Sequence, residues 1–588
     1  MSRVSSKSLT SREILAREVY PFGPLFDPSR AGYRVALVYA NTYHVAMSNL
    51  GFQQVYRMLN EMDGVVCERV FSPEGRGKGV RTLEAGSPLG GFDLVAFSSP
   101  YETDYPAILE VLDEGGIPLR STDRKGRHPI IIMGGICPSY NPEPLAPFVD
   151  AAVVGEAEEV LSEIMAVLVE GKGQARETVL ADLARIPGVY VPSGYEIDLP
   201  PPAPPAPPAD GRHGINGLAA LRPLPGFPDQ VDKRKIRDLE KTPALSWILT
   251  EDTEFGKLFL VEIGRSCGWG CRFCAADFTF RPLRNRSRES LRADIRVGLR
   301  HRKQVGLVGT MVSNHPELTG ICRDIAEMGG RVSPASLRID ALDDDLLDVL
   351  VGSGERSLTL APETGTERLR AAVRKELSDA LIYHQVERLF RRGIVNLKLY
   401  FLVGLPGETD EDVAGIARMA RKIKHIMLKI GRDRKRLGTL TLSVNPFIPK
   451  PHTPMQWEGM APLKEIRRRL KLLAGLIRSE PNVRLNHEVP KWSYIQALLS
   501  RGDRRVGGLL ETVHRLRGDW RAALRESPVD PDFYVTRKWA YDEPLPWDVI
   551  NQNLPKDFMV RESRRYWEAA ESASPIKSRK KWISLIPA

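Results

Sequence analysis

Short apolar runs, recurring between longer helix-compatible stretches, constrain this chain more than any other feature. "YRVALVYA" from Tyr33, "FDLVAFSS", "PIIIMGG" and "DAAVVGE" have the β-branched and aromatic character of buried parallel strands. Between them, "SNLGFQQVYRMLNEM" sets Leu50, Val55, Met58 and Leu59 at helical spacing, and "YPAILEVLDEGG" ends in a glycine stop. Alternating strands and helices predict an open, doubly wound, Rossmann-like α/β sheet. A second series, "LFLVEIG", "QVGLVGT", "RSLTLAPE", "NLKLYFLVG" and "GTLTLSVN", predicts a full or partial TIM-like βα barrel with chemistry at its carboxyl strand ends. The tract "LPPPAPPAPPADG" lies between the two series and reads as an extended spacer, because proline at that density blocks helix and central strand. Beyond residue 456 the pattern turns helical and charged, as in "PLKEIRRRLKLLAGLIRS". The expected organisation is an N-terminal α/β domain (1–195), a connecting segment (196–244), a barrel (245–455) and a mostly helical C-terminal domain (456–588).

Three of the six cysteines fall within "CGWGCRFC", directly after the strand-like "LFLVEIG". Cys67, Cys137 and Cys322 are scattered singly, a poor disulfide framework that fits a reducing compartment. No run of eighteen apolar residues and no secretory signal is apparent, so the expectation is a cytoplasmic chain with no membrane span. The net charge of +10, from 84 basic against 74 acidic residues, favours anionic partners only mildly. Two basic stretches, 421–436 and 464–478, allow a nucleic-acid contact, but solvated helix faces are the favoured reading. Thiolates take zinc or iron–sulfur clusters. Structural zinc wants four ligands, and no second cysteine pair is present. Cys267, Cys271 and Cys274 could instead hold a 4Fe-4S cluster whose remaining iron stays open to an amino- and carboxylate-bearing molecule.

The spacing C-x3-C-x2-C, with Phe273 before the last cysteine, resembles the signature of the radical S-adenosylmethionine (radical SAM) superfamily. "GLVGTMVSNHPEL", "ASLRIDAL", "APETGTERLRAAVRK" and "LKLYFLVGLPGETDEDV" resemble successive strand-end segments of that barrel. The resemblance implies a 4Fe-4S cluster, S-adenosylmethionine, an external reductant such as a flavodoxin or ferredoxin, and a 5′-deoxyadenosyl radical. Beside it, Gly306 and Gly309 permit close backbone approach, Arg338 could meet a carboxylate in a bidentate pair, and Glu363 could accept from a ribose or amino group. The N-terminal "IIIMGGICPSYNPEPLAPFVDAAVVGEAEEVLSEI" resembles a cobalamin-binding module, whose matching positions are Ser98, Ser99, Gly134 and Gly135. His44 stands where a subset of such modules carries a cobalt ligand in D-x-H-x-x-G, but Thr42 and Met47 replace the aspartate and glycine.

Nearly the whole chain is similar to an uncharacterised family of cobalamin-domain radical SAM proteins. It departs at Ser266, where that family has glycine, so a small backbone difference is expected. Methylthiotransferases have three further N-terminal cysteines, which Cys67 and Cys137 cannot supply. His452, Gln456 and Trp457, in a proline-stiffened segment after the last barrel strand, could line a substrate pocket or pack a domain interface. The resulting expectation is cobalamin-dependent methylation of an unactivated carbon. The alternatives are a cobalamin-free radical rearrangement or oxidation, or a noncatalytic RNA-binding iron–sulfur protein. The sequence names neither the substrate nor a catalytic side chain.

Overall fold

The computed structural model describes residues 9–572 apart from 31, 74–76, 78, 199–216, 336 and 434–436. The proline tract and the basic tail "SPIKSRKKW" lie outside the described residues, as does part of the basic stretch 421–436.

Six strands form the N-terminal sheet: β1 (Tyr33–Tyr39), β2 (Val65–Phe71), β3 (Leu94–Ser98), β4 (Ile130–Gly134), β5 (Ala151–Val153) and β6 (Val189–Tyr190). Their order is β2-β1-β3-β4-β5-β6, parallel except for the antiparallel edge strand β6. Strand order reverses between β1 and β3, the switch point where doubly wound sheets open a crevice above their carboxyl ends. The register there aligns Tyr39, Ser98 and Gly134. Sequence reading finds four of these six strands and passes over β6, which is only two residues long, and β2, because Glu68 and Arg69 break its apolar run. Both charges are nonetheless buried and satisfied: Arg69 donates to Glu18 and Glu84, and Glu68 accepts from Thr82 and from the Ala85 N–H.

Seven further strands form the barrel: β7 (Leu258–Arg265), β8 (Gln304–Gly309), β9 (Arg331–Pro334), β10 (Ser357–Glu363), β11 (Asn396–Val403), β12 (Leu440–Pro446) and β13 (Val483–His487). They make two parallel sheets, β7-β8-β9 and β10-β11-β12-β13, the first edged by a two-residue antiparallel strand, Arg284–Asn285, beside β7. The barrel is therefore partial. Two strands escape the sequence pattern: β9 is short and ends in proline, and β13 is mostly polar.

The C-terminal region is helical: Pro490–Arg501, Val506–Arg515, Trp520–Glu526, Pro531–Val535 and Lys556–Glu571. The last of these helices lies against the cysteine loop, with Glu562 accepting from Arg272 Nε at 3.1 Å. The α/β domain meets the connecting segment at Gly155, where a Cβ would stand 2.1 Å from the Arg234 carbonyl oxygen, so only glycine lets the two backbones join. Among the described residues, no helix is long and apolar enough to cross a membrane.

Candidate functional site

The loop from β7 to the helix Ala275–Thr279 carries all three clustered cysteines. Ser266, Gly268 and Gly270 sit in the left-handed region at φ 67°, 72° and 69°. Left-handed residues interspersed in this way turn nearby N–H groups into a common concavity suited to an anion. The Asp277 carboxylate occupies it. Oδ1 accepts from the N–H groups of Cys267 (3.1 Å) and Gly268 (2.6 Å) and from Ser266 Oγ (3.2 Å). Oδ2 accepts from the Gly270 N–H (2.7 Å) and from Arg281 Nη2 (2.8 Å). Serine at a left-handed position costs about 1 kcal/mol or more, and here its hydroxyl joins the carboxylate in return. The departure from glycine thus leaves the left-handed backbone in place.

Burial pushes all three thiols up, Cys267 to about 12, with Asp277 and neighbouring cysteines adding to the effect at Cys267 and Cys274. At Cys271 the nearby Lys375 ammonium opposes it. Such thiols ionise when a metal centre supplies positive charge. Among the described residues, no three or more His, Cys, Asp or Glu side chains are grouped to hold a single metal ion. Three thiolates in eight residues at the carboxyl end of a strand match a 4Fe-4S group, in which each thiolate meets its own iron.

A cavity of about 170 Å³ opens beside the loop, lined by Arg338, Thr359, Glu363, Lys375 and Tyr400 among others. Arg338 lies 3.7 Å above the Trp269 ring. The two-pronged pairing expected of it with an incoming carboxylate is instead made with Asp340, through Nε and Nη2 at 2.8 Å each. Among the described residues no hydrogen bond from Nη1 is formed, which leaves it for a ligand. Glu363 ends β10 with φ 72°, a left-handed outlier of the kind that gathers at functional sites. Its Oε1 accepts from Lys375 Nζ at 2.7 Å. Burial pulls the lysine down, but Glu363 and the Cys271 sulfur outweigh it and hold the ammonium above the ordinary lysine value. Sequence reading missed Lys375 and Asp277. The first closes the quoted "APETGTERLRAAVRK", and the second is the lone acid in "AADFTF", but neither position follows a recognisable period.

The glycines of β8 divide. A Cβ on Gly306 would meet Leu260 Cδ2 at 2.4 Å, so its small size serves strand packing rather than a cofactor. Gly309 pairs with Gly264 at the carboxyl strand end, beside the cysteine loop.

In the N-terminal sheet, Ser98 and Gly134 end adjacent strands, and a Cβ on Gly134 would meet nothing within 4 Å. Gly135 is exposed at φ 109°, while Ser99 is buried behind it. These residues leave an open carboxyl edge. His44 is placed differently. Its Nδ1 stands 3.0 Å from Asp252 Oδ1 and its Nε2 3.9 Å from Glu254 Oε2. Both carboxylates precede β7, at the end opposite the cysteine loop, roughly 25 Å of strand away. His44 is thus not brought to the cysteines, and its ring faces carboxylates on both nitrogens.

His452, Gln456 and Trp457 are interface residues. Gln456 Oε1 accepts from the His452 N–H (3.0 Å) and from Trp547 Nε1 (2.8 Å), and Trp457 packs edge-on to Tyr541. Burial, with Lys233 nearby, pushes His452 down to about 3, so it stays neutral. The basic helices are ion-paired at several points: Arg421 and Lys424 with Glu480, Arg468 with Asp410, and Arg469 with Glu408. Cys67, Cys137 and Cys322 are buried free thiols.

Two family descriptions match the chain: "Radical SAM proteins, N-terminal" over residues 51–192 and "Radical SAM superfamily" over residues 261–420. The uncharacterized protein MJ0966 of Methanocaldococcus jannaschii is 27% identical over 485 residues, covering 81% of this chain and 90% of that protein. A tRNA-2-methylthio-N(6)-dimethylallyladenosine synthase of Carboxydothermus hydrogenoformans is 24% identical over 204 residues, 32% of this chain and 46% of its own. Among solved structures, the cobalamin-dependent S-adenosylmethionine radical enzyme OxsB, with aqua-cobalamin and S-adenosylmethionine bound, aligns at 11% identity. Its TM-score is 0.44, over 91% of this chain and 79% of OxsB.

Proposed function

We propose that this chain, which belongs to the radical SAM superfamily, holds a 4Fe-4S cluster on Cys267, Cys271 and Cys274 and cleaves S-adenosylmethionine reductively. The observation that carries the reading is the three-cysteine loop set beside a cavity whose charged lining is Arg338, Glu363 and Lys375, with Arg338 stacked on Trp269 of the loop. Held by Cys267, Cys271 and Cys274, such a cluster would supply the electron for that cleavage, which would yield methionine and a 5′-deoxyadenosyl radical.

The chain's own groups do the binding and positioning. Arg338 Nη1 and the Lys375 ammonium offer donors to the carboxylate of S-adenosylmethionine, and Glu363 offers an acceptor to its amino group or ribose. Trp269, held by its Nε1 donating to Asn314 at 2.9 Å, shields one side of the loop from water. The helix Lys556–Glu571 buries Arg272 through Glu562 and covers the other side.

The finer reading is methylation of an unactivated carbon, in which Ser98, Gly134 and Gly135 would line the crevice that holds cobalamin and His44 would stay with Asp252 and Glu254. The open strand edge at Gly134 supports it. Methylcobalamin supplies the methyl group in such chemistry. An external one-electron reductant, a flavodoxin or ferredoxin, completes the proposal.

The test is anaerobic reconstitution of the parent chain and of Cys271→Ala, followed by product analysis with S-adenosylmethionine, with and without hydroxocobalamin. The parent is expected to show visible cluster absorbance and to form 5′-deoxyadenosine, and Cys271→Ala neither. A loaded, reduced parent that leaves S-adenosylmethionine intact refutes the enzyme. S-adenosylhomocysteine appearing alongside 5′-deoxyadenosine supports methyl transfer, and its absence in the presence of bound cobalamin refutes that half.

A further inference from the structure

We infer that Asp277 is the positioning residue of the cysteine loop: its carboxylate holds the loop in ligand-ready shape before any iron arrives and sets the charge beside the bound cluster. The inference rests on the cluster reading above, but its first test does not.

Five donors converge on two carboxylate oxygens, and the side chain is 1% exposed. Three of those donors are backbone N–H groups of the loop itself, from Cys267, Gly268 and Gly270. An isolated loop with left-handed residues at 266, 268 and 270 would leave these groups to water and sample many shapes. A buried anion gathered onto all three selects one shape, and hydrogen bonds to a charged acceptor are the strong class. Asp277 belongs to the short helix Ala275–Thr279, next to Cys274, so the same residue ties the first cysteine to the last. A helix-capping role would need one N–H of its own helix. Bonds running back to residues 266–270 do something else.

The electrostatic consequence has a sign. A fixed negative charge beside the cluster opposes added electrons and holds the midpoint potential down. Arg281, 2.8 Å from Oδ2, offsets part of that charge.

Hydrogen exchange on the cluster-free parent comes first: the amides of Cys267, Gly268 and Gly270 are expected to be protected. In Asp277→Asn they should exchange at least about tenfold faster, the loss of bonds to a charged acceptor. Free exchange in the parent overturns the inference. On reconstituted chains, Asp277→Asn should release iron to a chelator at least about tenfold faster than the parent, with its midpoint potential moved to a more positive value. Arg281→Gln keeps the carboxylate on the loop, and its potential should move the opposite way. Equal iron release and equal potential in Asp277→Asn, or shifts of the same sign in both variants, overturn the inference. If Asp277→Asn fails to fold, parent exchange and the Arg281→Gln potential decide the matter. A parent that takes up no cluster would defeat the proposed function and leave the exchange test standing.

Discussion

Glu156→Gln tests how the α/β domain is locked to the cysteine segment. Glu156 follows β5, is 8% exposed and accepts from Arg284 Nη1 (2.7 Å), Arg284 Nη2 (2.6 Å) and the Ile236 N–H (2.8 Å). Arg265 Nη1 is 3.4 Å away. Arg265 immediately precedes Ser266, and Arg284 follows Cys274 by ten residues (284 minus 274), so one carboxylate holds both flanks of the loop. Glutamine keeps the shape and removes the charge. Arg265 retains Glu158 and Glu262, whereas Arg284 is left to the carbonyls of Ile236, Phe280 and Pro282. Leaving one partner of a buried pair alone costs about 3–5 kcal/mol, and the retained partners of Arg265 place this case near 3. At about 2–4 °C per kcal/mol for a cooperative unit the size of the α/β domain, the thermal midpoint of that domain's transition falls by roughly 6–12 °C.

The assay is thermal unfolding followed by intrinsic fluorescence for the parent, Glu156→Gln, Arg284→Met and the double variant. Removing both partners strands neither charge, so the double variant should be less unstable than the sum of the singles by at least about 1 kcal/mol. A drop under about 2 °C in Glu156→Gln, or strict additivity, refutes the reasoning.

Three further outcomes are expected. Lys375→Met should weaken S-adenosylmethionine binding at least about tenfold, about 1.4 kcal/mol, measured by calorimetry on the reconstituted chain, and an unchanged affinity would remove Lys375 from the site. Trp457→Ala should destabilise the fold by about 3–5 kcal/mol while leaving that affinity within about twofold, because the ring is fully buried against Tyr541. A large affinity loss would return Trp457 to the ligand pocket. His44→Ala should leave hydroxocobalamin binding unchanged by equilibrium dialysis, since Glu254 faces the Nε2 that a cobalt would need while Asp252 engages Nδ1, and loss of binding would restore it as a cobalt ligand.

Much of the architecture was legible because backbone periodicity is local. Apolar runs at 33–40 and 258–264 announce strands wherever they fold, and three cysteines in eight residues announce a soft-metal site at a strand end. The strands that escaped were β2, β6, β9 and β13: β6 is two residues long, and the others carry charge, proline or polarity whose burial or pairing comes from distant residues. Glu18 and Glu84 make Arg69 admissible in a core strand, and no window around Arg69 contains Glu18.

What the sequence alone determined is the inventory: an α/β domain, a βα barrel, a helical end, and thiols spaced for a cluster. The tertiary structure decided which groups those elements bring face to face. It gave the Arg338 fork to Asp340, brought Lys375 onto Glu363, turned His44 toward Asp252 and placed Glu562 against the loop from nearly three hundred residues away. Hydrogen bonds require a donor and an acceptor about 3 Å apart, and packing between distant segments sets that separation. Spacing along the chain does not.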